Sequence, residues 1–262
     1  RMQAMGGAQH ALGGDMSTIS GNPAGLGVYT KSEFSISPGL QFSRSQNTYR
    51  TPNDVTQTDA GRNNFHIANF GFVVNTSDKT AVRDWKGGTW GISFDRFNDF
   101  QRRTRFKGSN QDNNMRTALA ANSQGIDTSA YNLDNSYYYE LYNTTTSLNG
   151  IIEGNDAVSD LANQGYWSDL FYFNTASNTY QVFDAGKPVI QEGEILSKGS
   201  QSQWNFAYGN NYKDKFYIGG SINVGSLRYI EETTYTETST AADATINNYT
   251  NTRTLEQRGN GV

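Results

Sequence analysis

Apolar and polar residues alternate along several short segments of this chain, and this alternation limits its fold more than any other feature. From Phe34 to Phe42 the even-numbered positions are apolar, whereas the odd-numbered positions carry Ser, Gly and Gln. Successive side chains of a β-strand point to opposite faces. The segment is therefore predicted to form a strand with one apolar and one polar face, and Pro38 predicts a bulge or an edge within it.

Four further segments are predicted to be strands. Residues 203–209 and 216–224 alternate in the same way on either side of a turn at residues 210–214, which predicts a hairpin. Residues 62–74 carry apolar side chains on both faces, and residues 90–94 begin another alternating run. Thr252 to Val262 is a candidate for a sixth strand.

The apolar content of the chain is largely aromatic. Only 35% of the residues are hydrophobic, yet the chain has 16 Tyr, 14 Phe and 4 Trp, which a disordered chain would lack. A membrane β-barrel has this balance because only alternate strand residues meet lipid. No apolar run approaches the length of about 18 residues that a membrane-spanning helix needs. The predicted fold is all-β, a transmembrane antiparallel β-barrel.

Charge and residue types exclude several function classes. A net charge of −4 argues against nucleic acid as a partner, because phosphate binding requires clustered Lys and Arg. The chain has no Cys and only two His, His10 and His66, so we predict no metal site, no cofactor and no enzyme activity. The run Asp112-Asn113-Asn114 lacks the ligand spacing of a calcium loop.

The alternation breaks at Asp95 and Arg96. An unbroken strand would direct Arg96 toward lipid, at a cost of about 2–4 kcal/mol near the centre of the membrane. One interpretation is a bulge at this point, which would reverse the faces of later residues. The other is that the strand has reached the head groups, where Arg is tolerated.

Residues 103–199 are too many for an ordinary connection and are predicted to form a long, partly helical insertion. Met115, Ala118 and Leu119 have helical spacing. A second helix, capped by Asn155 or Asp156, is predicted to end at Gly165. Outer-membrane barrels carry their long loops outside the cell, so the insertion is predicted to be extracellular.

The N-terminal segment is rich in glycine and almost uncharged. Residues 5–28 read MGGAQHALGGDMSTISGNPAGLGV. The order of GGA, a small-residue segment with Asp, and NPAGL resembles the N-terminal plug of the FadL/TodX family of outer-membrane transporters. The resemblance implies a FadL-like barrel, fourteen-stranded when complete, with residues 1–32 as its plug. Residues 33–262 would then be the N-terminal part of the barrel, with about five or six strands.

The family resemblance also implies a function, a location and partners. The function is passive import of hydrophobic small molecules, such as long-chain fatty acids or aromatic compounds, across the bacterial outer membrane. The expected partners are membrane lipid and a hydrophobic small-molecule ligand. A kink in the third strand, for which Asp95 and Arg96 are the candidates, would open a side passage in the barrel wall.

The resemblance assigns roles to two sets of residues. In the plug, Asn22 would bond to the wall, Pro23 would fix a turn, and Ala24 and Gly25 would permit close approach. An alternative role for these four is structural sealing of the barrel. The candidates for an apolar ligand pocket, predicted to face the lumen, are Phe65, Ile67, Phe97 and Phe100.

Two other functions remain open at this stage. A barrel of this type could dock an envelope protein partner and serve secretion rather than transport, which copurification would reveal. An outer-membrane enzyme is disfavoured because no set of acid, base and nucleophile is found in the sequence.

Overall fold

A seven-stranded antiparallel sheet forms most of the structure, a computed structural model that describes residues 13–52, 54–78, 80, 84–131 and 160–262. Its strands are β1 (Glu33–Arg50), β2 (Val55–Asn75), β3 (Trp85–Asn98), β4 (Arg102–Asn110), β7 (Val189–Tyr212), β8 (Phe216–Ser239) and β9 (Asn248–Gly261). The smaller elements are α1 (Thr18–Gly21), a 3-10 turn (Pro23–Val28), α2 (Met115–Asn122), a second 3-10 turn (Thr128–Ala130), α3 (Asp160–Trp167), β5 (Tyr172–Asn174) and β6 (Thr179–Gln181).

The strand order is β1-β2-β3-β7-β8-β9, and β4 pairs with β7 on the same edge as β3. β3 and β4 therefore lie end to end along β7, whereas β8 pairs with β7 over its whole length. Within the described residues β1 and β9 each pair with one neighbour only. The all-β prediction is confirmed at the level of an antiparallel sheet, and a closed barrel is not seen among these strands.

The two faces of the sheet differ strongly in its lower half, which ends at the short turn between β7 and β8. We call the face that packs against α1 and the first 3-10 turn the inner face, and the opposite one the outer face. The outer face carries an apolar belt, with Phe216, Ile218, Ile222 and Val224 all exposed as predicted. The other members of the belt are Phe34, Ile36, Leu40, Phe42, Phe65, Ile67, Phe70, Phe72, Val74, Trp90, Ile92, Phe94, Trp204, Phe206 and Tyr208.

A bulge between β1 and β2 reverses the predicted orientation of two belt residues. Ser37 pairs with Asn69 and Pro38 pairs with Ile67, so Ala68 is an extra residue in β2. The bulge predicted at Pro38 is confirmed. Because the extra residue inverts the alternation, Phe65 and Ile67 lie on the outer face, with exposed fractions of 66% and 38%, and the prediction that they face inward is wrong.

The sheet has a kink at the boundary between β3 and β4. The kink also involves the part of β7 that faces this boundary. Arg96 pairs with Ser202 and Asn98 with Gln201, so the bulged residue is Phe97, just beyond the predicted pair Asp95 and Arg96. Arg96 keeps its outer position in the row of Ser202 and Ser226, the first polar row above the belt. This position fits the head-group interpretation, and the bulge that follows is also present.

The backbone at the kink adopts unusual conformations on both sides. Phe100 has φ of +50° and Gly199 of β7 has φ of +140°. A Cβ at Gly199 would lie 2.0 Å from the carbonyl oxygen of Arg228, so only glycine fits there. β7 pairs with β4 up to Ser197 and with β3 from Gln201 onward.

The predicted insertion, residues 103–199, contains strand at both ends and a small domain between them. β4 and the first part of β7 lie inside its bounds, and α2 forms where predicted. α3 continues past Gly165 to Trp167, so the predicted stop is wrong. A Cβ at Gly165 would lie 2.9 Å from Leu119, which shows that the glycine allows close packing rather than ending the helix. Asn155 and Asp156 lie outside the described residues.

Candidate functional site

Four glycines on the inner face of the lower half form the surface on which the N-terminal segment, residues 13–32, packs. They are Gly71, Gly91, Gly209 and Gly219, one on each of β2, β3, β7 and β8. A Cβ at Gly219 would lie 2.4 Å from the carbonyl carbon of Pro23, and one at Gly91 would lie 2.7 Å from Ile19. Any larger residue would displace the segment, so we call these four positions the glycine seat.

The N-terminal segment has a small apolar core of its own against this seat. Ile19 and Leu26 are completely buried, and they pack with Tyr29, Val73 of β2 and Ala207 of β7. About 2 kcal/mol of stabilisation is expected for each such fully buried side chain. The segment is therefore held by shape and apolar contact rather than by charge.

Polar contacts fix both ends of the segment. The Gly14 amide donates to the Gly25 carbonyl at 3.0 Å, which closes the segment on itself. The Asn75 side chain on β2 donates to the carbonyl oxygen of Tyr29 and, at 3.2 Å, to the hydroxyl of Thr89. Asn75 thus ties the exit of the segment to the wall.

Of the four motif residues, Pro23 and Ala24 lie against the sheet, whereas the contacts of Asn22 and Gly25 lie within the segment. Pro23 begins the 3-10 turn, and its carbonyl group, with the amide of Ala24, faces Gly219. Gly25 lies against Thr18 and Gly13 at distances that exclude a Cβ. The backbone bonds of Asn22 run to Thr18 and Gly25 within the segment. Close approach to the sheet is seen at Ala24, whereas Gly25 allows close approach within the segment.

A polar layer lies directly above the glycine seat. Asn205 of β7 is completely buried and donates to the Ser93 hydroxyl at 3.0 Å and to Asp95 Oδ2 at 2.6 Å. Asn69 donates to the other carboxylate oxygen of Asp95, and Gln203 donates to Asn205 at 2.7 Å. Asp95 is therefore an inward acceptor that organises three strands, a role different from the predicted kink.

A cavity of about 550 Å³ lies above this layer, at the kink between β3 and β4. Phe100 lines it and makes an edge-to-face contact with Tyr229, with ring centroids 5.3 Å apart. The remaining lining is mostly polar: Gln41, Ser43, Asn98, Asp99, Gln101, Arg102, Thr104, Ile195, Ser197 and Glu231. Of the four predicted pocket residues only Phe100 lines this cavity, and Phe97 is 55% exposed at the bulge.

Side chains rather than backbone bonds join β2 to the kink. The ladder between β2 and β3 ends at the pair Asn69 and Asp95. Beyond it, Asn64 donates to Asp99 Oδ2 at 3.0 Å, His66 Nδ1 lies 3.8 Å from the same oxygen, and Arg62 donates to the Ser197 carbonyl at 3.4 Å. We call this region the seam, since it is a break in the ladder that side-chain contacts close.

The upper half of the outer face is charged rather than apolar. Arg103 makes two bonds of 2.9 Å to Glu194, and Arg105 and Lys107 lie 2.8 Å and 3.2 Å from Glu192. The bonds from Lys107 and Arg105 lower the pKa of the Glu192 carboxyl. These pairs are partly exposed, so each adds at most about 1 kcal/mol to stability.

A second charged cluster joins the connections of the upper half. The Asp184 carboxylate is buried, 2.9 Å from Lys187 Nζ and 3.8 Å from the buried guanidinium of Arg116. Burial raises the pKa of Asp184, but bonds from Lys187 and from the amides of Ile246 and Thr245 outweigh it and hold the pKa at about 2. The carboxylate stays charged and connects the loop before β7 to α2 and to the loop between β8 and β9.

Sequence reasoning missed the glycine seat, the polar layer and the seam. The signal for the seat was present, since Gly71, Gly91, Gly209 and Gly219 all fall on the inward parity of their strands. The seam had no signal, because Asp99 and Asn64 are distant in sequence and polar residues are common in loops and barrel interiors.

The described part of the chain contains no group of three or more His, Cys, Asp or Glu side chains arranged to hold a metal ion. In that same part, no helix has the length and apolar character needed to cross a membrane. The arrangement that the sheet offers is a seat, a polar layer, a cavity and a seam, stacked along the inner face. Comparison with protein families, curated proteins and solved structures gave no significant match.

Proposed function

We propose that the protein is part of an outer-membrane β-barrel that lets small hydrophobic or amphiphilic molecules pass, with the N-terminal segment as its plug. The observation that carries the proposal is the glycine seat, which lies inside the same strands that carry the apolar belt outside. A segment packed inside a wall whose outer surface is apolar is the arrangement that a plugged membrane pore requires.

The dimensions of the belt support the membrane placement. From Phe216 to Val224 the belt extends about 27 Å along β8, given a rise of about 3.4 Å per residue. Barrel strands tilt by about 40° from the membrane normal, so this length spans about 21 Å of depth, close to the outward apolar band of about 25 Å that such barrels carry with aromatic residues at its edges. Trp85 and Tyr212, whose ring centroids are 5.0 Å apart, lie at the lower edge.

The kink supports a route by which the transported molecule passes through the side of the barrel. The cavity at Phe100 adjoins the seam, where Asn64 of β2 donates to Asp99, between β3 and β4, and Arg62 of β2 donates to the Ser197 carbonyl of β7. Side-chain bonds in such a seam are easier to open than a continuous ladder. The mostly polar lining suits the head of an amphiphile, whereas Phe100 and Tyr229 offer an apolar contact for its tail.

The test uses the full-length protein in a Gram-negative host whose intact outer membrane excludes both a hydrophobic dye, N-phenyl-1-naphthylamine, and the large polar antibiotic vancomycin. We expect the wild type to raise dye uptake severalfold without raising vancomycin sensitivity. Gly219→Leu should admit vancomycin as well, because its side chain occupies the position of Pro23. Gly259→Leu is the control, since a Cβ there meets nothing within 4 Å.

Failure of the wild type to raise dye uptake, with correct assembly shown by heat-modifiable electrophoretic mobility, would overturn the transport proposal. Sensitivity to vancomycin in the wild type itself would instead indicate an open, unselective pore. Equal vancomycin sensitivity of Gly219→Leu and Gly259→Leu would show that the N-terminal segment is not the plug.

A second candidate function is docking of an envelope protein. The upper half favours it, because the domain between β4 and β7 has its own core, with Phe171 fully buried and Tyr131 and Tyr180 packed beside it. The same domain leaves Trp167 44% exposed. Stoichiometric copurification of one envelope protein, lost in Trp167→Ala while dye uptake is normal, would support docking in addition to transport.

A further inference from the structure

A groove of about 320 Å³ interrupts the apolar belt on the outer face, near the turn between β7 and β8. Trp85, Tyr208 and Ile218 form its apolar walls, and Asn210, Gly219 and Gly220 lie at its base. The groove opens on the outer face, on the opposite side of the sheet from the glycine seat, and Gly219 is the one residue that belongs to both.

The groove exists because Gly88 and Gly220 leave space on both sides of Tyr208, and the Tyr208 ring occupies only one of these spaces. A Cβ at Gly88 of β3 would lie 2.2 Å from the Tyr208 hydroxyl oxygen, so the ring of Tyr208 covers that glycine. The ring also contacts Trp90, with centroids 4.6 Å apart. On the other side of Tyr208, a Cβ at Gly220 would meet nothing within 4 Å, and this space is the groove.

The charges at the lower end of the groove favour an anionic group. Lys86 pairs with Asp214 at 2.7 Å, and Lys213 pairs with Asp84 at 3.1 Å. The exposed Lys215 makes no ion pair within the described part of the chain. It lies in the turn between β7 and β8, directly before β8 begins at Phe216. The turn next to the apolar groove therefore carries an ammonium group with no ion pair among the described residues.

We propose that the groove binds one acyl chain of a phospholipid whose anionic head group pairs with Lys215. The inference rests on the membrane placement in the proposed function. Trp and Tyr side chains such as Trp85 and Tyr208 are favoured at the membrane interface, where an acyl chain meets its head group. Gly220 is the residue that sets the depth of the site.

The test is native mass spectrometry of the full-length protein, released from vesicles of equal parts phosphatidylglycerol and phosphatidylethanolamine. We expect the wild type to retain phosphatidylglycerol in preference to phosphatidylethanolamine, and Gly220→Leu to retain at least fivefold less lipid. Lys215→Gln should retain lipid without the preference. Gly61→Leu is the matched control, because Gly61 is an outer-face glycine above the belt whose added Cβ would contact only the Ser43 carbonyl, at 3.7 Å.

Equal lipid retention by the wild type and Gly220→Leu would overturn the inference. If Gly220→Leu does not assemble, Ile218→Trp replaces it, since it fills the groove from the opposite wall. Vesicles with brominated acyl chains separate this failure from failure of the proposed function. Quenching of the exposed Trp90 and Trp204 with unchanged lipid retention rejects the groove alone, whereas absence of quenching rejects the membrane placement itself.

Discussion

The lower and upper halves of the sheet share the same strands but carry opposite surfaces. β7 and β8 are 24 residues each and pair without a register shift from end to end. In the lower half their outer side chains are mostly apolar, and in the upper half most are charged, Thr or Ser, with Ile190, Leu196 and Ile230 among them. The backbone ladder is continuous, so the two halves differ in their side chains rather than in architecture.

The interiors differ as much as the exteriors. The lower inner face is made of glycine and small residues, because a second chain segment packs on it. The upper inner face carries large polar and aromatic groups. There the buried Glu237 accepts from the Met115 amide at 2.6 Å and from Gln191 at 2.8 Å, and Tyr235 donates to the same oxygen at 2.6 Å. Packing of the N-terminal segment holds the lower inner face, whereas hydrogen bonds among large polar groups hold the upper inner face of the sheet.

The kink at Gly199 is the joint between the two halves, and changing it should have the largest effect. We expect Gly199→Ala to destabilise the protein by about 3–5 kcal/mol, the sum of backbone strain at φ +140° and a clash with the Arg228 carbonyl. Urea unfolding measures this loss. Gly259→Ala, in open space on β9, should change stability by no more than about 0.5 kcal/mol. Similar losses in the two variants would show that the kink is not needed.

A charge placed on the outer face should separate the halves directly. Ile222→Arg, inside the belt, is expected to cost about 2–4 kcal/mol in lipid vesicles, because Arg is then held in hydrocarbon. Thr234→Arg, on the same face of the same strand but above the belt, should cost no more than about 0.5 kcal/mol. The comparison is made by urea unfolding of the full-length protein in vesicles. Equal costs would contradict the assignment of the belt to lipid.

The same contrast explains what the sequence could and could not predict. Residues 216–224 alternate between apolar and small or polar side chains, and both of their faces were predicted correctly. Arg103, Arg105 and Lys107 alternate just as regularly, but with charges outward, so the sequence predicts part of an insertion where β4 forms. Residue types reveal a strand easily only where one of its faces is apolar.

Single extra residues limited the prediction in the lower half. Pro38 predicts a bulge or an edge in β1, and the register does shift beside it, but the extra residue is Ala68 of the partner strand, and nothing in the sequence near Ala68 marks it. Phe65 and Ile67 were consequently assigned to the wrong face. The seam and the cavity could not be predicted either, since they depend on where β3 ends relative to β4, which is a property of strand pairing.

Acid should weaken the upper half before the lower half, and Asp184 gives the smallest of the three effects. Its folded pKa of about 2 lies below the usual value of 3.8, so its contribution is present above about pH 4 and is lost as the pH falls from 4 toward 2. We expect Asp184→Asn to lower stability by about 1.5 kcal/mol at pH 7, and the difference from the wild type to shrink over that window. Near-ultraviolet circular dichroism during thermal unfolding, from pH 7 to pH 2, reports on the aromatic cluster of the upper domain.

Asp243→Asn is the control, because Asp243 accepts from the same Lys187 but is 84% exposed. If the stability difference between the wild type and Asp184→Asn stays constant with pH, Asp184 acts through its shape rather than its charge. The upper half would then be held by packing, as the lower half is.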